Sequence, residues 1–257
     1  MTELELILDA AREAGELALT ARAGGLKIWS KEGGSPVTDA DLAVDALLKD
    51  RLMAARPDYG WLSEETADSA HRLAHDRVWV VDPIDGTRDY IRGREGWSVS
   101  IALVENGLPR IAVLDAPARR ERWWAIAGGG VWRNGVPLRV GDRDLLPGAR
   151  VPTDALPKAD RDLTIVDKPN SIALRIAMVA ADEADLVATL RWGSEWDIAA
   201  AVLIASEAGA AVSDAFGAPL RFNKPDPQAF GVLACTPGIH AAAVARLADR
   251  AAHLSAA

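Results

Sequence analysis

The sequence predicts an α/β (α+β) protein with layers in the order α/β/α/β/α. An antiparallel-sheet half covers residues 1–146, and a mixed-sheet α/β half covers 147–257. Three observations predict this. Two stretches with helical periodicity precede the first long apolar strand. Asn-Gly pairs then stand twice between apolar runs, the strongest short-range hairpin signal. Beyond Leu146, short apolar runs alternate with helix-length ones. At 257 residues and 49% apolar, the chain can join both halves in one compact unit.

In chain order, Thr2 and Glu5 have capping-box spacing, and Leu4, Leu8, Ala11, Gly15 and Ala18 follow at helical intervals. This first helix ends near Gly24-Gly25. Lys27 to Trp29 reads as a short extended piece, and Lys31 to Thr38 as a loop by its Gly and Pro content. Thr38 can cap a second helix that runs through Leu47 and Leu48 and stops before Pro57. Trp79-Val80-Val81 is a short buried strand. Trp97–Val104 and Pro109–Leu114 flank Asn106-Gly107, and Arg122–Ala127 precedes a second hairpin at Asn134-Gly135. Pro147 to Asp162, rich in proline and charge, reads as the connection between halves. Then come strand-like Leu163–Val166, helix-like Ile172–Ala181 and strand-like Asp185–Leu190. An apolar helix Trp196–Ala208 with Gly209 as its stop, a strand Val232–Cys235 and a helix Ile239–Ala252 follow. There is no internal repeat.

A net charge of −8 argues against nucleic acid or an anionic membrane as the main partner. No apolar run reaches the length of a membrane span, and the N-terminus is acidic and amphipathic, which reads as cytoplasmic. The one cysteine, Cys235, permits no internal disulfide and sits as a small buried strand residue would. His71 and His75 have a spacing that can bind zinc, but their stretch is polar and offers no third ligand, so a solvated face is expected. Gly128-Gly129-Gly130 leads into the second hairpin and reads as a turn.

The chemistry concentrates in Asp82-Pro83-Ile84-Asp85-Gly86-Thr87. A buried strand ends here in two carboxylates, with a proline between them that no regular ladder accommodates. Hard cations such as Mg²⁺ take carboxylate oxygens, water and substrate phosphate. The Gly86 and Thr87 amides fall where a following helix would begin, and free N–H groups there attract phosphate. A turn with solvated aspartates is the plain alternative. Glu64-Glu65 reads equally as an acidic turn. Asp39 and Asp41 open the second helix, and Asp197 opens a later one, where acids complement the helix dipole.

Asp82-Pro83-Ile84-Asp85-Gly86-Thr87 resembles the metal-binding signature of the inositol monophosphatase superfamily, a sugar-phosphatase-like fold. Ser35-Pro36-Val37-Thr38-Asp39-Ala40-Asp41, Leu62-Ser63-Glu64-Glu65 and Trp196-Asp197 match in that family's order, and the matching segments lie between residues 31 and 197. The resemblance implies two or three Mg²⁺ held by Glu64, Asp82, Asp85, Asp197 and the Ile84 carbonyl. Asp41 would lie near the metals, while Asp39 and Glu65 are not carried over. Glu64 and Thr87 would orient a metal-activated water for in-line attack, and Asp85, Gly86, Thr87 and Asp197 would meet the substrate. Li⁺ would inhibit by displacing one Mg²⁺.

Arg88-Asp89-Tyr90-Ile91 and Ala116-Pro117 are similar to the 3′(2′),5′-bisphosphate nucleotidase branch of sulfur assimilation, the CysQ type. This implies adenosine 3′,5′-bisphosphate as substrate, which needs a cation for its second phosphate and a flat apolar surface for its base. Arg88, Lys31 and Arg175 are candidate cations. The family's Gly-Ser-Ser-Leu-Lys segment has become Ser171-Ile172-Ala173-Leu174-Arg175, and the loop before Trp196 is short. An inositol-phosphate or sugar-phosphate phosphatase therefore stays open, as does a catalytically silent phosphate sensor, although no acidic position is lost. Haloacid-dehalogenase phosphatases use Asp-x-Asp-Gly-Thr with a covalent aspartyl phosphate. The extra residue between Asp82 and Asp85 argues against that route. The chain could work as a monomer or a homodimer.

Overall fold

The computed structural model describes residues 1–31 and 34–256. Thr2 caps α1 (Glu3–Gly24): its hydroxyl accepts the Glu5 amide while the Glu5 carboxylate accepts the Thr2 amide. β1 (Ile28–Ser30) pairs antiparallel with β2 (Pro36–Thr38), so the end of the predicted loop is a strand. Pro36 is tolerated there because this two-stranded ribbon has only edges. Glu32 and Gly33 of that loop lie outside the described residues. Thr38 ends β2 and caps α2 (Asp39–Ala55), with Asp41 closing a second capping box.

A seven-stranded sheet follows in simple sequence order: β3 (Gly60–Ser63), β4 (Arg77–Asp85), β5 (Ser98–Glu105), β6 (Leu108–Ala116), β7 (Glu121–Ile126), β8 (Gly130–Arg133) and β9 (Val136–Pro137). Only the β3–β4 pairing is parallel. Both predicted hairpins form with left-handed backbone at Asn and Gly (φ 51° and 79° at Asn106-Gly107, 51° and 80° at Asn134-Gly135), as type I′ turns require. A one-turn helix α3 (Thr87–Ile91) links β4 to β5.

Side chains alternate along β4, and the two faces bury different helices. Trp79 and Val81 pack with Leu6, Ala10, Val44 and Leu48 of α1 and α2. Val78 and Val80 join Ile176, Ile198 and Val202 of α4 (Ile172–Ala180) and α5 (Glu195–Glu207). The register against β5 slips between Asp82↔Ser100 and Asp85↔Ser98, three steps on one strand against two on the other. Strict alternation would send carboxylates three residues apart to opposite faces. The bulge at Pro83 lets both Asp82 and Asp85 line one cleft.

In the second half β10 (Arg150–Pro152) runs parallel to β11 (Thr164–Val166), so the predicted connection contains a strand. β12 (Leu186–Ala188), β13 (Trp192–Ser194), β14 (Ala211–Ser213), β15 (Gln228–Phe230) and β16 (Leu233–Cys235) complete the strands. β16 sits between β12 and β14, antiparallel to both, and β13 pairs antiparallel with β15. The pairing is mixed, with the parallel part confined to β10–β11. Val187 and Ala234 face α4 and α5, whereas Leu186, Leu233 and Cys235 pack on α6 (His240–Ser255) through Ala243 and Leu247. The layers are thus α/β/α/β/α. Burial pushes the Cys235 thiol up to about 12, leaving it unreactive. Among the described residues, no helix is long and apolar enough to cross a membrane.

Candidate active site

The bulged end of β4 meets the end of β3 and the first turn of α5. Carboxylate oxygens of Glu64, Asp82 and Asp197 there all lie within 4.8 Å of one another. Asp82 is only 1% exposed, and its Oδ1 accepts the Ile84 amide at 3.1 Å. Asp197 closes the capping box of α5 by accepting the Ser194 amide at 3.2 Å.

Asp85 stands outside that trio but lines the same cleft. Its Oδ2 accepts the Ser171 hydroxyl at 2.5 Å and the Ala173 amide at 2.8 Å, and its Oδ1 accepts the Ile172 amide at 3.3 Å. The aspartate therefore caps α4.

Gathering acids in a half-dry site costs energy unless protons or cations balance them. Burial pushes Asp82 well above the usual carboxylate range, and the charges of Glu64, Asp85, Asp197 and Asp41 push the same way. Asp197 rises to about 7 through burial and then through Asp85 and Glu64. Asp85 rises to about 6 through burial, against the pull of its Ser171 and Ala173 hydrogen bonds. Asp41 rises to about 6, again through burial, held back by Thr38. A divalent cation would balance this charge. The donor set is entirely carboxylate oxygen, with the Ile84 carbonyl beside it, and it suits a hard ion such as Mg²⁺.

Around the acids, Thr87 Oγ1 lies 3.1 Å from the Ile84 carbonyl and 3.5 Å from Asp41 Oδ1. Gly86 enters α3 with φ 94°. Lys31 Nζ donates to Glu64 at 3.0 Å and to Glu65 at 2.6 Å. The Glu65 side chain is the more enclosed of the two, and burial raises it to about 7, yet it is not part of the trio. Asp39 points elsewhere, accepting the Lys27 amide at 3.1 Å. Asp89 is buried and accepts the Asn170 amide at 3.0 Å. His71 and His75 contact each other at 3.2 Å on the surface, and His75 also meets the Asp58 carbonyl at 2.8 Å.

The acids line a cleft of roughly 500 Å³, a size that fits a small organic phosphate. The candidate cations Arg88 and Arg175 lie on its wall; the guanidinium of Arg175 donates to the Ser171 carbonyl at 3.3 Å and the Asn170 carbonyl at 3.2 Å. Lys168, Arg191 and Trp192 also line it and were missed from sequence. The usable signal was a bulky aromatic beside an arginine just before Trp196-Asp197. Asp45 was missed too. Its two oxygens accept the hydroxyls of Ser63 and, at 2.6 Å, Thr66, fixing the segment on both sides of Glu64-Glu65.

The profile of the Inositol monophosphatase family matches residues 2–253. The chain is 32% identical over 235 residues to the 3′(2′),5′-bisphosphate nucleotidase CysQ of Escherichia coli O157:H7, covering 86% of this chain and 94% of that protein. It is 34% identical over 250 residues to Nus factor SuhB of Xylella fastidiosa, covering 90% and 89%. The fold superposes on an IMPase from Thermotoga maritima with a TM-score of 0.85 and 27% identity, over 99% of this chain and 100% of that one. With a bulged strand, an acidic cleft and full-length similarity all agreeing, this chain belongs to the inositol monophosphatase family and is a phosphatase of that family.

Proposed function

We propose that the chain is a Mg²⁺-dependent 3′(2′),5′-bisphosphate nucleotidase that releases the 3′-phosphate of adenosine 3′,5′-bisphosphate and leaves AMP. The observation that carries this is the meeting of the Glu64, Asp82 and Asp197 oxygens beside a cleft wall holding Arg88, Lys168, Arg175 and Arg191. The acids suit metal and the reacting phosphate; the cations suit a second phosphate. Similarity to a protein named as such a nucleotidase supports the same substrate.

In this reading Glu64, Asp82, Asp85, Asp197 and the Ile84 carbonyl would hold two or three Mg²⁺. When bound, the metal supplies charge neutralisation at the phosphoryl oxygens and an acidified water. Thr87 takes a proton from the attacking water as it passes its own to Asp41, whose Oδ1 lies 3.5 Å from Thr87 Oγ1, and Glu64 orients the same water. The Gly86 and Thr87 amides, at the start of α3, hold the phosphate. The water oxygen bonds to phosphorus as the ester P–O bond breaks in line, and the departing sugar oxygen takes a proton from solvent water in the open cleft to leave as a hydroxyl.

An inositol-phosphate or sugar-phosphate substrate is the second reading. It is favoured by Ile172 and Ala173, which are buried and apolar where the family's segment carries serines. Phosphate release with Mg²⁺ from adenosine 3′,5′-bisphosphate, inositol 1-phosphate and fructose 1,6-bisphosphate separates the two. The nucleotidase reading expects the highest kcat/KM for the first ester and inhibition by millimolar Li⁺. Preference for inositol 1-phosphate overturns it, and release from no ester points to a silent phosphate sensor.

A further inference from the structure

We propose that Trp192 is the platform on which the aromatic base of the leaving nucleoside stacks, and so a specificity-determining residue; this rests on the nucleotidase reading above. Trp192 lines the acidic cleft, yet 55% of it is exposed. A large indole at the rim of a polar cleft that keeps more than half of its surface in water leaves apolar area that a ligand can cover. The structure nonetheless holds it in place. Trp192 pairs with Phe230 across β13–β15, and the Phe230 ring meets it edge-on at 5.5 Å and 72°. Phe216 in turn stacks on Phe230 at 5.6 Å and 28°. This support is a short aromatic wall whose outermost ring faces the cleft.

The wall is tied to the acids by a few backbone steps. A Cβ at Gly193, the next residue, would lie 3.6 Å from Asp197 Oδ2, and Ser194 donates its amide to the same oxygen. A phosphate placed at the acidic trio therefore has Trp192 close by on the α5 side, with Arg191 as the neighbouring cation. Stacking on a fixed indole recognises a purine without hydrogen-bond readout and offers nothing comparable to a polyol. The platform thus discriminates nucleotides from inositol and sugar phosphates, which the metal chemistry alone does not.

The test compares wild type, Trp192→Ala and Trp192→Phe on adenosine 3′,5′-bisphosphate and on glycerol 2-phosphate, which has no ring. In Trp192→Ala the ratio of kcat/KM between the two esters should fall about tenfold or more, the scale of one base–aromatic stack, mostly through KM. Trp192→Phe should restore part of it. Adenosine should compete with the aromatic ester in wild type and lose that effect in Trp192→Ala. An unchanged ratio overturns the platform even if both esters are hydrolysed, and so does wild-type turnover of glycerol 2-phosphate alone. Absence of all hydrolysis with Mg²⁺ contradicts the phosphatase chemistry and the platform with it.

Discussion

The carboxylate of Asp85 accepts the backbone N–H of Ala173 at 2.8 Å, across 88 positions of sequence. With the Ser171 hydroxyl at 2.5 Å on the same oxygen, it fastens the bulged end of β4 to the first turn of α4. An acid at that helix end complements the dipole and satisfies orphan amides. One residue of the signature therefore serves the cleft and the packing of the two halves.

Ser171→Ala removes that hydroxyl and also the cap that accepts the Leu174 amide at 2.9 Å. Loss of a buried cap and a charge-assisted hydrogen bond should cost ~2 kcal/mol. Urea unfolding in the presence of a chelator reads the change. A loss below ~0.5 kcal/mol would mean that the Asp85–α4 junction carries no stability.

Gly86→Ala should be far worse than an ordinary surface substitution. Its Cβ would meet the Gly96 carbonyl at 2.7 Å and the Ser171 amide at 2.8 Å, at φ 94°. Strain and overpacking together should cost ~3 kcal/mol, and displacement of Thr87 should lower turnover about a hundredfold. Thermal unfolding and phosphate release check the two effects separately, and a variant normal in both would show that this tight turn is not required.

The acidic cluster gives a pH dependence with a definite sign. Asp41 and Asp85 titrate near 6 and Asp197 near 7, all above their unfolded values. Between the unfolded and folded pKa values the native state binds more protons, so the metal-free protein loses this stability as pH rises from about 4 to about 7. Mg²⁺ relieves the same repulsion. The gain in Tm on adding Mg²⁺ should therefore grow from about pH 5 to about pH 7.5, as differential scanning fluorimetry would show. A gain that shrinks over this range would place the bound ion elsewhere.

Much of this was legible because its signals are local. The capping boxes at Thr2 and Thr38, the Asn-Gly hairpins and the buried β4 need only a few neighbouring residues. What stayed hidden depends on partners far away in sequence. β13 and β15 have three residues each and exist only because they pair with one another. Asp85 reads as a cleft acid, and nothing near it announces that it caps α4. Asp45 looks like one more acid on a helix until Ser63 and Thr66 arrive beside it. Trp192 looks like core by residue type, yet Phe230 covers it on one side only and more than half of it stays open.

The central claim is that Glu64, just past β3, Asp82 of β4 and Asp197 of α5 act together on divalent cations beside the phosphate. Phosphate release by Asp82→Asn at saturating Mg²⁺, relative to wild type, tests it most directly. The account predicts a loss of at least about a thousandfold, ~4 kcal/mol of transition-state stabilisation, in a protein whose metal-free Tm is no lower because burial already favours an uncharged side chain at this position. Turnover near that of wild type would contradict it.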